Sequence, residues 1–86
     1  MITITLVKFR RRPTKKELDR VPKVIQEGGG KVVSIYWTLG HYDAVATLEV
    51  PDERAAMKIW SQLLEPAATE TLIAVPREEA IKLAGY

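Results

Sequence analysis

"KVVSIYWTLGHYDAVATLEV", residues 31–50, is the stretch on which the fold turns. Lys31 to Thr38 is rich in β-branched and aromatic residues, which suit a pleated, half-buried strand. Tyr42 to Val50 alternates, with Ala44, Ala46, Leu48 and Val50 on one face and Asp43, Val45, Thr47 and Glu49 on the other. Only Leu39-Gly40-His41 separates the two runs, so they read as the arms of a β-hairpin. Gly40 is the natural reversal residue, because glycine takes a positive φ without a Cβ clash.

Outward from the hairpin, each side carries a strand and a helix. Upstream, "ITITLVKF" alternates strictly and predicts a first strand. Thr14 and Glu17 then make a capping box, and Leu18, Val21 and Ile25 fall at helical spacing with Gly28 to end the helix. Pro22 removes an amide donor inside that helix, so a kink or a later start is expected. Downstream, "PDERAAMKIWSQLLE" predicts a helix with Asp52 as N-cap, stopped by Pro66. "TETLIAV" predicts a fourth strand, and "PREEAIKLAGY" a short terminal helix. The order β-α-β-β-α-β plus that helix is the split βαβ pattern of a ferredoxin-like α+β sandwich, one domain over residues 1–86.

Two crossover helices cover one face of such a sheet and leave the other bare. If the more aliphatic Ile2, Ile4 and Leu6 meet the helices, the bare face carries Thr3, Thr5, Val7 and Phe9 beside Asp43, Val45, Thr47 and Glu49. That mixture is too apolar for water and too polar for a sealed core. A second sheet over it would leave a cleft lined by polar groups, so a homodimer or higher oligomer that binds a small molecule is expected.

Composition removes several function classes. Zero cysteines exclude disulfides, thiolate nucleophiles and Cys-ligated metals. The apolar start "MITITLV" is too short for a signal segment and precedes its basic residues, the reverse of the secretory order. No run approaches a membrane span, so a cytoplasmic protein with no membrane partner is expected. The net charge of +2 is uneven: Lys8, Arg10, Arg11, Arg12, Lys15 and Lys16 supply six of thirteen basic residues, and the remainder is net negative. Such a cluster could hold an anion, but its one aromatic residue, Phe9, belongs to the strand that precedes the arginines, and a solvated loop is expected in place of a nucleic-acid interface. Gly28-Gly29-Gly30 lacks the Lys-Ser/Thr that follows a phosphate-cradling loop.

Tyr36-Trp37-Thr38-Leu39-Gly40, then Tyr42-Asp43, followed by Glu49, Pro51-Asp52 and Thr69-Glu70-Thr71-Leu72, resembles the GYD family of small prokaryotic proteins. The resemblance implies the dimeric α+β barrel superfamily, in which two ferredoxin-like sheets pack face to face. That superfamily includes haem-degrading and quinone-forming monooxygenases, lactone isomerases and the effector domains of leucine-responsive regulators, so kinship chooses no reaction. The GYD family itself carries no established biochemical activity.

The candidate ligand-binding residues are Tyr36, His41, Tyr42, Asp43 and Glu70, with Gly40 structural. His41 alone has a side chain that titrates near neutrality, which makes it the proton-transfer or haem-ligating candidate; an exposed turn histidine is the plainer reading. Tyr36 and Trp37 are consecutive and point to opposite faces, so at most one lines a given pocket. Trp37 and Trp60 read as packing residues. Asp43 either locks the turn by accepting backbone hydrogen bonds or orients a ligand. Should Glu70 meet Asp43, the two would form a carboxylate pair with raised proton affinity; Glu70 could equally pair with an arginine across a dimer. No catalytic residue, metal site or cofactor is assigned. Three classes stay open: a binding module, a small monooxygenase, isomerase or haem-handling enzyme, and a stand-alone amino-acid-effector domain.

Overall fold

Residues 1–86 are described by a computed structural model. Strict alternation makes β1 (Ile2–Phe9), and the Thr14–Glu17 capping box starts α1 (Lys15–Glu27). β2 (Lys31–Trp37) and β3 (Ala44–Glu49) form the hairpin, Asp52 caps α2 (Glu53–Ser61), and β4 (Ala67–Ala74) is followed by α3 (Arg77–Leu83). All strands pair antiparallel in the order β2-β3-β1-β4, the ferredoxin-like arrangement with β1 and β3 in the centre. No helix is long and apolar enough to cross a membrane.

α1 and α2 pack on one sheet face. Val24, Ile25, Ala56, Ile59, Trp60 and Leu63 from the helical side join Val7, Ala44, Ala46 and Leu48 of the sheet in one buried cluster. Leu48 and Ile59 are fully buried, and each such side chain stabilises the fold by about 1.5–3 kcal/mol. Gly28 permits the closest approach: a Cβ there would run into the buried Ile59 side chain.

The strand faces require one correction. β3 turns Ala44, Ala46 and Leu48 to the helices as its alternation predicts, but β1 does the opposite of expectation. Thr3 and Thr5 are fully buried and Val7 nearly so, opposite Leu48, Ala46 and Ala44 in register, whereas Ile2, Ile4 and Leu6 are only half-buried. The Thr5 hydroxyl is satisfied by Thr71 Oγ1 at 2.9 Å. The Thr3 hydroxyl finds no partner. The bare face is therefore more apolar than expected. Its centre is the aliphatic stripe of Ile2, Ile4 and Leu6, flanked in register by Glu49, Thr47 and Val45 of β3 and by Ala74, Leu72 and Glu70 of β4.

Smaller differences concern element ends. α1 starts where its cap predicts and continues through Pro22, which supplies no N–H to the Leu18 carbonyl. α2 ends at Ser61 in place of running on to Pro66. There Ser61 Oγ and Gln62 Nε2 both donate to the Lys58 carbonyl, at 3.1 and 3.0 Å, and the chain tightens into i→i+3 bonds. The hairpin connection is longer than three residues: it spans Thr38–Asp43 and is closed by the Thr38 N–H donating to the Asp43 carbonyl at 2.9 Å. α3 buries none of its residues.

Candidate functional site

Phe9, Trp37 and Trp60 are far apart in sequence and meet at one place. β1 and β2 are separated by β3, but the β3 residue between Val7 and Trp37 is the small Ala44. Phe9 and Trp37 therefore approach across it, with ring centroids 5.2 Å apart and planes tilted by 32°. Above them lies a cleft of about 290 Å³ between α1, the segment after α2 and the helix-side sheet face. Eleven of its nineteen lining residues are hydrophobic, Leu18, Val21, Trp60 and Leu63 among them, so its interior favours apolar matter. The buried indole N–H of Trp60 has no acceptor.

The mouth of the cleft is charged. Glu17, Arg20 and Glu65 are its ionisable lining residues. Arg11 donates to both oxygens of Glu17, at 2.8 and 2.9 Å, and lies 3.9 Å from Glu65. Glu17 also accepts the Thr14 N–H at 2.9 Å. The Arg11 hydrogen bonds, reinforced by that from Thr14, lower the Glu17 carboxyl to about 2, and Glu17 in turn raises the Arg11 guanidinium. Arg10 completes the stitching, its N–H donating to the Pro66 carbonyl at 2.8 Å and its Nε to the Leu64 carbonyl at 3.2 Å. Most of the basic cluster is thus engaged within the chain, since Lys8 lies 3.8 Å from Asp43 and Lys15 2.9 Å from Asp19. Arg12, Lys16 and Arg20 pair with no carboxylate.

The hairpin residues singled out by sequence lie elsewhere. Tyr36, His41, Tyr42, Asp43 and Glu70 line no part of this cleft. Gly40 has φ +113, a conformation that side chains with a Cβ rarely adopt. His41 is exposed and sets its ring edge-on to Tyr42, centroids 4.8 Å apart. Tyr36 is exposed, opposite Val45 on the bare face. Asp43 accepts the Phe9 N–H at 2.8 Å, so its carboxylate extends the β1–β3 ladder past the last backbone pair. Glu70 meets Tyr42, whose hydroxyl donates to Oε2 at 3.0 Å; this bond raises the phenol above its usual range. The two carboxylates that could have formed an acid–base pair thus have separate partners. The cleft residues escaped sequence reasoning because Trp37 and Trp60 read equally well as packing; the available signal was the parity that puts Trp37 on the face of Ile35 and Ala44.

The GYD domain family model matches residues 8–84. The chain belongs to the GYD family. Among solved structures, this GYD domain is similar to TTHA0845 from Thermus thermophilus, with 26% identity, a TM-score of 0.54 and coverage of 88% of this chain and 98% of that one. It also shares its fold with an AsnC family transcriptional regulator from Agrobacterium tumefaciens, at 20% identity and a TM-score of 0.52. There the match covers 88% of the GYD domain and 52% of the regulator, about half its length. No curated protein matches the sequence.

Proposed function

We propose that this GYD domain is a small-molecule-binding module that works as a pair of chains, each holding an apolar ligand in the cleft between α1 and the sheet. The cleft carries the reading: a recess of about 290 Å³ walled by Phe9, Trp37 and Trp60 is near the lower size of small-ligand sites, and an apolar body entering it removes both partners' surface from water. Pairing is supported by the bare sheet face, whose aliphatic centre has no cover within the chain. On this reading Tyr36, His41, Tyr42, Asp43 and Glu70 belong to the rim of the paired face, not to the apolar ligand cleft. An enzyme reading gains nothing from Glu17, which is held as a carboxylate by Arg11 and so serves poorly as a proton donor.

The test uses the two tryptophans that line the cleft. Titration with uncharged phenylalkanols should change their fluorescence saturably, and Val21→Phe, which narrows the cleft without adding a tryptophan, should weaken binding at least tenfold while the far-UV spectrum is kept. Trp37→Phe and Trp60→Phe assign the signal. A linear, non-saturating response that Val21→Phe leaves unchanged would sink the proposal.

A further inference from the structure

Taken with the charges at its mouth, the cleft geometry points to a ligand that is an amphipathic carboxylate: an apolar body of about one aromatic ring with a short chain inside the cleft, and its acid group held by Arg20, with Arg12 in the adjoining recess. This inference rests on the cleft being the binding site.

Four observations carry it. First, the three ionisable residues of the lining are not equivalent. Glu17 has its acceptors occupied by the Arg11 fork and the Thr14 N–H, and Glu65, also near Arg11, has a side chain 89% exposed to water. Second, Arg20 lines the same cleft, pairs with no carboxylate and donates no hydrogen bond within the chain, so its guanidinium is unmatched. Third, a neighbouring recess shares Pro13, Leu18 and Trp37 with the cleft and adds Arg12 and Lys15. Lys15 is held by Asp19, but Arg12, like Arg20, has no carboxylate partner. Fourth, the engaged arginine shows what the segment does with a carboxylate: Arg11 grips Glu17 in a two-pronged contact at 2.8 and 2.9 Å. A guanidinium recognises a carboxylate in that fork geometry and is less strongly hydrated than an ammonium, which makes arginine the suited anchor for an acid group. A cationic ligand would meet Arg20 unfavourably, find in Glu17 an acceptor already in use, and be left with only Glu65, whose side chain stands in water beside Arg11. A neutral ligand would leave both guanidinium groups as they are.

The experiment compares 4-phenylbutanoate with the matched amide, 4-phenylbutanamide, by tryptophan fluorescence on the full chain. The acid should bind at least tenfold tighter than the amide at low salt, and added salt should shrink the ratio. Arg20→Gln should bring the acid down to the affinity of the amide and leave the amide unchanged. Arg12→Gln should reduce the preference partway, and Lys16→Gln, an unpaired cation outside both recesses, should keep it. Equal binding of acid and amide by the unaltered chain overturns the carboxylate inference while the cleft reading stands. Saturable binding of neither overturns both. A preference that survives Arg20→Gln, or that Lys16→Gln removes as fully, overturns the assignment to Arg20. Far-UV spectra of the variants exclude loss of fold as the cause.

Discussion

Thr3 and Thr5 face the same helices from neighbouring positions of β1, yet only one hydroxyl is satisfied: Thr5 reaches Thr71, and Thr3 reaches nothing. A buried hydroxyl without a partner destabilises by about 1–3 kcal/mol relative to one that is paired. Replacing Thr3 by the nearly isosteric valine should therefore raise the chemical denaturation midpoint, by about 1 kcal/mol of stability, whereas Thr5→Val gives up a hydrogen bond already made and should lower it slightly, the exposed Thr71 hydroxyl turning to water. Equal effects of one sign would refute the assignment. These two residues also mark the limit of sequence reading at this scale. Alternation identifies β1 as a strand, but which face it turns inward depends on its register against β3, where Thr3 stands opposite Leu48. Hydrophobicity ranks isoleucine above threonine and so favours the wrong face; register is a long-range property that no local pattern states. Asp43 shows the converse. A carboxylate accepting a backbone hydrogen bond was legible, but its donor is the Phe9 N–H, 34 residues upstream, and not an amide of its own turn.

Among the elements, α1 was the most legible at its ends and the least legible in its role. Thr14 and Glu17 announce its start, and the Thr14 side chain does accept the Glu17 N–H at 3.2 Å. What three letters of basic sequence could not announce is that Arg11 uses the same Glu17 to tie the helix entrance to the segment after α2. Since the folded Glu17 carboxyl is lowered to about 2, its contribution to stability is complete above the unfolded value near 4.5 and is lost as pH falls through about 2. Glu17→Gln keeps the capping box, because glutamine serves at that position, and removes the charge. The melting temperature of Glu17→Gln should lie below that of the unaltered chain near neutral pH, and the gap should close between about pH 4.5 and pH 2. A gap independent of pH would mean that the ion pair contributes nothing. α2 carries a parallel lesson: apolar periodicity runs to Leu64, but Ser61 and Gln62 capture the Lys58 carbonyl and end the helix first. Side-chain competition for one backbone group outweighs periodicity there.

For the whole molecule, the split βαβ topology was readable because each element carries its own signal and the hairpin fixes their order. The cleft was not, because it exists only where three distant aromatic residues surround a floor of alanine. The bare sheet face makes the pairing proposal checkable. Leu6 sits at its centre, between Val45 and Glu70 in register, so a lysine there finds Glu70 within its own chain. Sedimentation should show pairs for the unaltered chain and single chains for Leu6→Lys, with the far-UV spectrum unchanged; single chains for both would refute pairing through this face. Finally, α3 buries none of its residues, and at seven residues it is shorter than a helix that persists alone in water. α3 therefore lies outside the buried core, and its amides should exchange with solvent faster than those of β1 and β3.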